Sequence, residues 1–115
     1  MRPVPTKIKC CEVTLSANGS DTTSINIDQG KTFTIYKIAI RSTGAFKVTA
    51  IKVVAGDYYI TTGDMYKEHF QERGNHLLLM ENPIVVQGST DIEVSVTDTS
   101  GSTNTVSFAF IGDER

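Results

Sequence analysis

Thr32–Ala55, reading TFTIYKIAIRSTGAFKVTAIKVVA, decides the fold. It is rich in β-branched and aromatic residues, which favour strands. Ser42-Thr43-Gly44 interrupts it near the middle. The stretch reads as two strands folded back on a three-residue hairpin loop. Such loops pair a type I turn with a left-handed residue, and Gly44 stands at that position. The loop sets a register. Ile40/Phe46, Ile38/Val48 and Tyr36/Ala50 share one apolar face, and Ile35/Ile51 and Phe33/Val53 share the other. Both strands change face at the same level, between 35 and 36 and between 50 and 51. A long twisted ribbon, buried on one face near its tip and on the other near its base, is expected. A coincident pair of β-bulges gives the same pattern.

The rest of the chain agrees with a β protein. Its 115 residues fit one domain, residues 1–115, large enough to bury a core without disulfides or metals. Ser and Thr make up 24 of them and Trp is absent. The 11 basic and 13 acidic residues leave a net charge of −2. No basic excess draws in nucleic acid, and no Lys/Arg run marks a membrane surface. The start, Met-Arg-Pro-Val-Pro, lacks the apolar core of a secretory signal. The longest uncharged apolar runs, such as Leu77–Met80, are too short to span a bilayer. The expectation is therefore a soluble chain with no membrane insertion.

Met1–Thr6 reads as an arm carrying two prolines. Lys7–Leu15 follows as a strand with Cys11, Val13 and Leu15 on one face. Ser16–Thr23 reads as a polar loop and Ser24–Asp28 as a short strand. Gly56-Asp57 marks a turn, and Tyr58–Thr62 a further short strand. Gly63–Gly74 breaks the β pattern. Asp64 is expected to cap a short helical insertion near 64–72, of about two turns, with Met65, His69 and Phe70 on one face. His76–Glu81 and Ile84–Gln87 read as strands separated by a turn at Asn82-Pro83. Last, Ile92, Val94 and Val96 alternate with polar residues, as do Val106, Phe108 and Phe110. Pairing them across a long, flexible loop, Asp98–Asn104, gives a second hairpin with one wet side. The sum is an all-β antiparallel sandwich, jelly-roll-like rather than immunoglobulin-like, because the Cys…Trp…Cys core of the latter is missing.

Little chemistry is written along the chain. There is no nucleophile elbow, HExxH, P-loop or GxGxxG pattern; no cofactor is expected, and a non-enzymatic role is expected ahead of an enzyme of unrecognised type, which ranks third among the readings. Cys10 and Cys11 are adjacent and point to opposite faces of a strand, so both are read as free, one inside and one outside, rather than as a reactive pair. His69 lies near Asp64, Glu68 and Glu72, yet its spacing to His76 fits no metal motif. Asp98-Thr99-Ser100-Gly101 has too few carboxylates for a calcium loop. The residues set aside as ligand or partner contacts are Tyr58, Tyr59, Asp64, Tyr66 and His69. The three tyrosines offer a stacking platform for a glycan, with Asp57 or Asp64 on its hydroxyls. The competing expectation places one of Tyr58 and Tyr59 in the core and the other over a rim.

Asn82–Gly112, reading NPIVVQGSTDIEVSVTDTSGSTNTVSFAFIG, resembles the closing strands of small jelly-roll structural proteins of virus and phage particles. The shared features are a Gly-Ser-Thr turn, a V-x-V-T strand, a Ser/Gly loop and an aromatic strand ending in Ile-Gly. Asp28-Gln29-Gly30-Lys31-Thr32-Phe33 is similar to a turn that opens an earlier strand in them. The resemblance implies a jelly roll and a non-enzymatic capsid, decoration or vertex protein of the virion. It would act as a homo-oligomer or with other capsid proteins. The arm, with Arg2, Pro3, Val4 and Pro5, and the tail Gly112–Arg115 are expected to reach neighbours. The same C-terminal segment, with Thr97-Asp98 and Ser100-Gly101, also resembles bacterial immunoglobulin-like surface domains. That likeness implies a secreted or cell-surface adhesion module instead.

Overall fold

A computed structural model describes residues 6–61, 63–72 and 75–115, with backbone only at 68, 71, 72 and 75–82. The arm residues Arg2, Pro3, Val4 and Pro5 lie outside the described residues. The strands are β1 (Thr6–Leu15), β2 (Ser20–Ile27), β3 (Thr32–Ser42), β4 (Phe46–Val53), β5 (Tyr58–Tyr59), β6 (Met65–Tyr66), β7 (Gln71–Glu72), β8 (Asn75–Gln87), β9 (Thr90–Asp98) and β10 (Asn104–Glu114). They form two antiparallel sheets. Sheet A runs β1-β10-β3-β8-β7 and sheet B runs β2-β9-β4-β5, with β6 also on β4.

The protein is an all-β sandwich, and its long strands alternate between the sheets. β1, β3, β8 and β10 lie in sheet A, while β2, β4 and β9 lie in sheet B. The chain crosses the core at nearly every connection, which is the wrapping of a jelly roll. Both expected hairpins are therefore arches. β3 pairs with β10 and β8, whereas β4 pairs with β9, β5 and β6. β9 pairs with β2 and β4, whereas β10 pairs with β1 and β3. The apolar residues do meet, but as the inner faces of opposite sheets rather than as neighbours in a ladder. Alternation is the same in both arrangements, because it reports only which face is buried.

The bulge explanation of the face change is the correct one. In β3 the buried residues are Phe33 and Ile35, then Ile38 and Ile40. The register slips at Ile35/Lys37 against β8 and at Ile111/Gly112 against β10. In β4 the buried residues are Phe46 and Val48, then Ile51, with a slip at Val48/Ala50 against β9. One extra residue in each strand restores the same inward face after the slip. Tyr36 is the extra residue in β3, and it is exposed rather than paired in the core. The partner register jumps from Ile84 to Leu79 there, so Asn82-Pro83 is an irregularity inside one long strand and not a turn. Proline suits it, since it has no N–H to give a ladder.

Gly44 is needed for closeness rather than handedness. A Cβ there would lie 3.0 Å from the Cβ of Ser100. At Gly112 a Cβ would overlap the Thr34 carbonyl oxygen at 1.8 Å, where β10 slips against β3. Beyond it the tail does not leave the domain. Thr32 N–H donates to the Arg115 carbonyl at 2.9 Å, and Arg115 N–H donates to the Thr32 carbonyl at 3.0 Å.

The core draws on every long strand: Val13 and Leu15, Ile25 and Ile27, the four β3 residues, Phe46, Val48 and Ile51, Val86, then Ile92, Val94 and Val96 with Val106, Phe108 and Phe110. The insertion is helical only over Lys67–Phe70, one 3-10 turn. It delivers Phe70 fully into this core, where the ring stacks on Phe46 at 6.2 Å; Phe108 meets Phe46 edge-on at 6.3 Å. Met65 packs partly against the core and His69 is exposed, so the expected common face does not form.

Candidate functional site

β4 is the last long strand of sheet B, and its free edge is finished by the short strands β5 and β6. Lys47 stands opposite Tyr66, and Lys52 stands opposite Tyr59. The same local pattern, Asp-x-Tyr, occurs at Asp57-Tyr58-Tyr59 and Asp64-Met65-Tyr66. Each copy supplies an ion pair and a ring to one lysine. Lys52 Nζ lies 2.7 Å from Asp57 and 5.4 Å from the Tyr59 ring centre. Lys47 Nζ lies 3.0 Å from Asp64 and 5.8 Å from the Tyr66 ring centre. Asp57 reaches back because Gly56 and Asp57 both take left-handed conformations, with φ of 80 and 54, as tight hairpin turns require.

Asp64 thus anchors a lysine and caps no helix. The hydrogen bond to each aspartate raises the pKa of Lys47 and of Lys52, so both stay charged. His69 joins the group through its Nδ1, which accepts the Tyr66 backbone N–H at 2.9 Å, with the two rings 6.1 Å apart. Among the described residues no three His, Cys, Asp or Glu side chains converge on a metal position.

Tyr58, Tyr59 and Tyr66 are 63%, 50% and 44% exposed. The expectation that one of Tyr58 and Tyr59 would enter the core fails, because Ile60 and Met65 already fill that side. The edge borders a polar face. Ser20 and Thr97 hydroxyls bond at 2.7 Å, Thr22 and Ser95 at 3.2 Å, and Asn26 donates to Asp91 at 2.7 Å. The five residues set aside from the sequence therefore lie along one edge, although Tyr58 belongs to neither lysine unit. Lys47 and Lys52 were missed. The repeated Asp-x-Tyr is the signal that could have found them.

The outer face of sheet A has the opposite character. Ile8, Tyr36 and Val85 are large, apolar and exposed. Small residues lie among them, with Cys10 opposite Ala109 and Ala109 opposite Ala39. A shallow depression of about 170 Å³ overlies Cys10, Ala39 and Ala109, beside one of about 230 Å³ at Glu12, Arg41 and Ser107. Both cysteines are free, with Cys10 exposed and Cys11 turned inward. Burial pushes the Cys11 thiol up, which disfavours the thiolate that a reactive cysteine needs.

No family model matches this chain, and no curated protein or solved structure matches it either.

Proposed function

We propose that this chain is a non-enzymatic structural protein of a virus or phage particle, a small capsid, decoration or vertex component that works by oligomeric assembly. The observation that carries this reading is the outer face of sheet A, where Ile8, Tyr36 and Val85 are exposed on a rigid jelly roll. Three large apolar side chains exposed on one face of a small domain favour a contact surface there. The mechanism is one of shape: the sandwich holds its faces at fixed angles, and residues 1–6 bridge to a neighbour. Light scattering or native mass spectrometry of the protein, with and without residues 1–6, tests it. An oligomer that weakens without the arm is expected. A monomer at high concentration, indifferent to the truncation, counts against the proposal.

A second reading rests on the tyrosine edge: a carbohydrate-binding or adhesion module of the cell surface or the secreted space. Three exposed tyrosines border a hydroxyl-rich face, and each lysine is already matched by an aspartate. That neutral, aromatic surface suits an uncharged sugar better than an anion. A glycan array supports this reading if binding is lost on Tyr59→Ala and Tyr66→Ala while folding stability stays within about 0.5 kcal/mol, as for ordinary surface changes. An array with no signal above background rejects it.

A further inference from the structure

We infer that the outer face of sheet A is self-complementary, and that two copies of this chain pack on it face to face about a two-fold axis running along β10. This inference rests on the assembly reading and names the surface through which assembly occurs.

The outward residues fall into rows that cross β1, β10 and β3. One row is Glu12, Ser107 and Arg41; the next is Cys10, Ala109 and Ala39; the third is Ile8, Ile111 and Lys37. Read along the strands, the columns differ in charge. The β1 column carries only Glu12. The β3 column carries Arg41 and Lys37. The β10 column between them is neutral over these three rows, with Asp113 one row beyond. Among the described residues neither Glu12 nor Arg41 forms an ion pair.

This pattern selects the symmetry. An axis across the strands lays each column on its own copy, so that Arg41 and Lys37 meet like charges. An axis along β10 exchanges the outer columns. Each Glu12 then lies over the other copy's Arg41, twice per dimer, and Ile8 lies over the aliphatic stem of Lys37. Ala109 falls on the axis and faces its own copy. The small middle row allows the two sheets to approach to about 10 Å, the usual face-to-face distance. The strands of the two sheets stay roughly aligned, as in stacked sheets generally. In this arrangement β1, β10 and β3 overlap the other copy. Three strands at roughly 4.8 Å spacing and ten residues at roughly 3.4 Å rise give roughly 490 Å² in projection, less than the roughly 800 Å² each partner buries in a standard interface, so a weak, concentration-dependent dimer is expected.

The test is sedimentation equilibrium of the full chain and of Glu12→Arg, Arg41→Glu and the double variant, each checked for native circular dichroism. Each single reversal sets like charges together at two places, so dimer affinity is expected to fall by at least about tenfold. The double reversal is expected to restore it. A second measurement is independent of charge: Ala109→Cys in a Cys10→Ser background is expected to form a cross-linked dimer under mild oxidation. If the protein associates but ignores the charge reversals and gives no cross-link, this interface is wrong and the assembly reading stands. If the unmodified chain is monomeric throughout, both fail together.

Discussion

Asp98 and Asn104 are the two polar side chains that hold the arches closed. Asp98 is buried. It accepts from Asn18 N–H at 2.8 Å, Ser100 N–H at 3.0 Å, Gly101 N–H at 3.0 Å, Ser100 Oγ at 2.6 Å and Asn104 Nδ2 at 3.0 Å. Asn104 passes the connection on: its Oδ1 accepts Gly44 N–H at 3.1 Å, and its Nδ2 donates to the Ala45 carbonyl at 2.8 Å. Three loops, after β1, β3 and β9, are tied to one carboxylate. The segment Asp98–Asn104 is therefore pinned at its base, against the expectation of a flexible loop. These donors, Ser100 Oγ first, hold the Asp98 carboxyl well below its ordinary value of 3.8, and burial only partly opposes them. The folded state thus prefers the ionised form. Its stabilisation is complete above the ordinary value and is lost as pH falls below it toward the depressed one. Asp98→Asn is expected to be less stable than the unmodified protein at neutral pH, with the gap in urea midpoint narrowing as pH drops below about 4. A gap that stays constant to pH 2 refutes the assignment.

At the scale of elements, the insertion matters for what it buries as much as for what it shows. Its single 3-10 turn carries Phe70 into the core against Phe46, while Tyr66 just before it stays outside. One short segment is thus fixed by an aromatic plug on one side and presents the tyrosine edge on the other. Phe70→Ala is expected to cost about 3–5 kcal/mol, the usual loss for a buried aromatic. It should also expose the segment 63–72 to limited proteolysis before the rest of the domain opens. A loss below about 1 kcal/mol, or no new cleavage there, shows that the plug is dispensable. The bulges act at the same scale. By slipping one residue, β3 and β4 keep a single buried face along their whole length, so the outer face of sheet A is free to be a surface.

The whole molecule is wrapped rather than stacked from hairpins. β1 pairs with β10, β2 with β9 and β3 with β8, so most ladders join distant parts of the chain. Such topologies close long loops before most contacts form, and they fold slowly. Refolding from urea is expected to be a single phase in the range of milliseconds to seconds, with far- and near-ultraviolet dichroism changing together. A microsecond phase carrying most of the amplitude indicates local hairpins instead. The two outer faces also diverge at this scale. One is polar and ends in tyrosines, and the other is apolar with Glu12 and Arg41 on opposite flanks, which keeps the two proposed contacts apart.

The sequence by itself determined most of the strands and, away from the bulges, which of their residues turn inward; Ser20–Thr23, read as loop, instead opens β2, and Tyr36, read as buried, is exposed. Alternation in Ile92–Val96 and Val106–Phe110 needs only a core on one side, and it gave the sandwich and the free, opposed cysteines. It also singled out the tyrosines, Asp64 and His69, which the structure places along the β4 edge of sheet B. It could not determine partners. An arch and a hairpin bury identical residues, so Gly44 suited a left-handed turn on paper while serving close packing in fact. A bulge and a face change both break the period of two. The tertiary structure decided these points through hydrogen bonds between distant strands, which leave no trace in local spacing. It also decided the outer faces. The row that brings Glu12, Ser107 and Arg41 level exists only because β10 lies between β1 and β3.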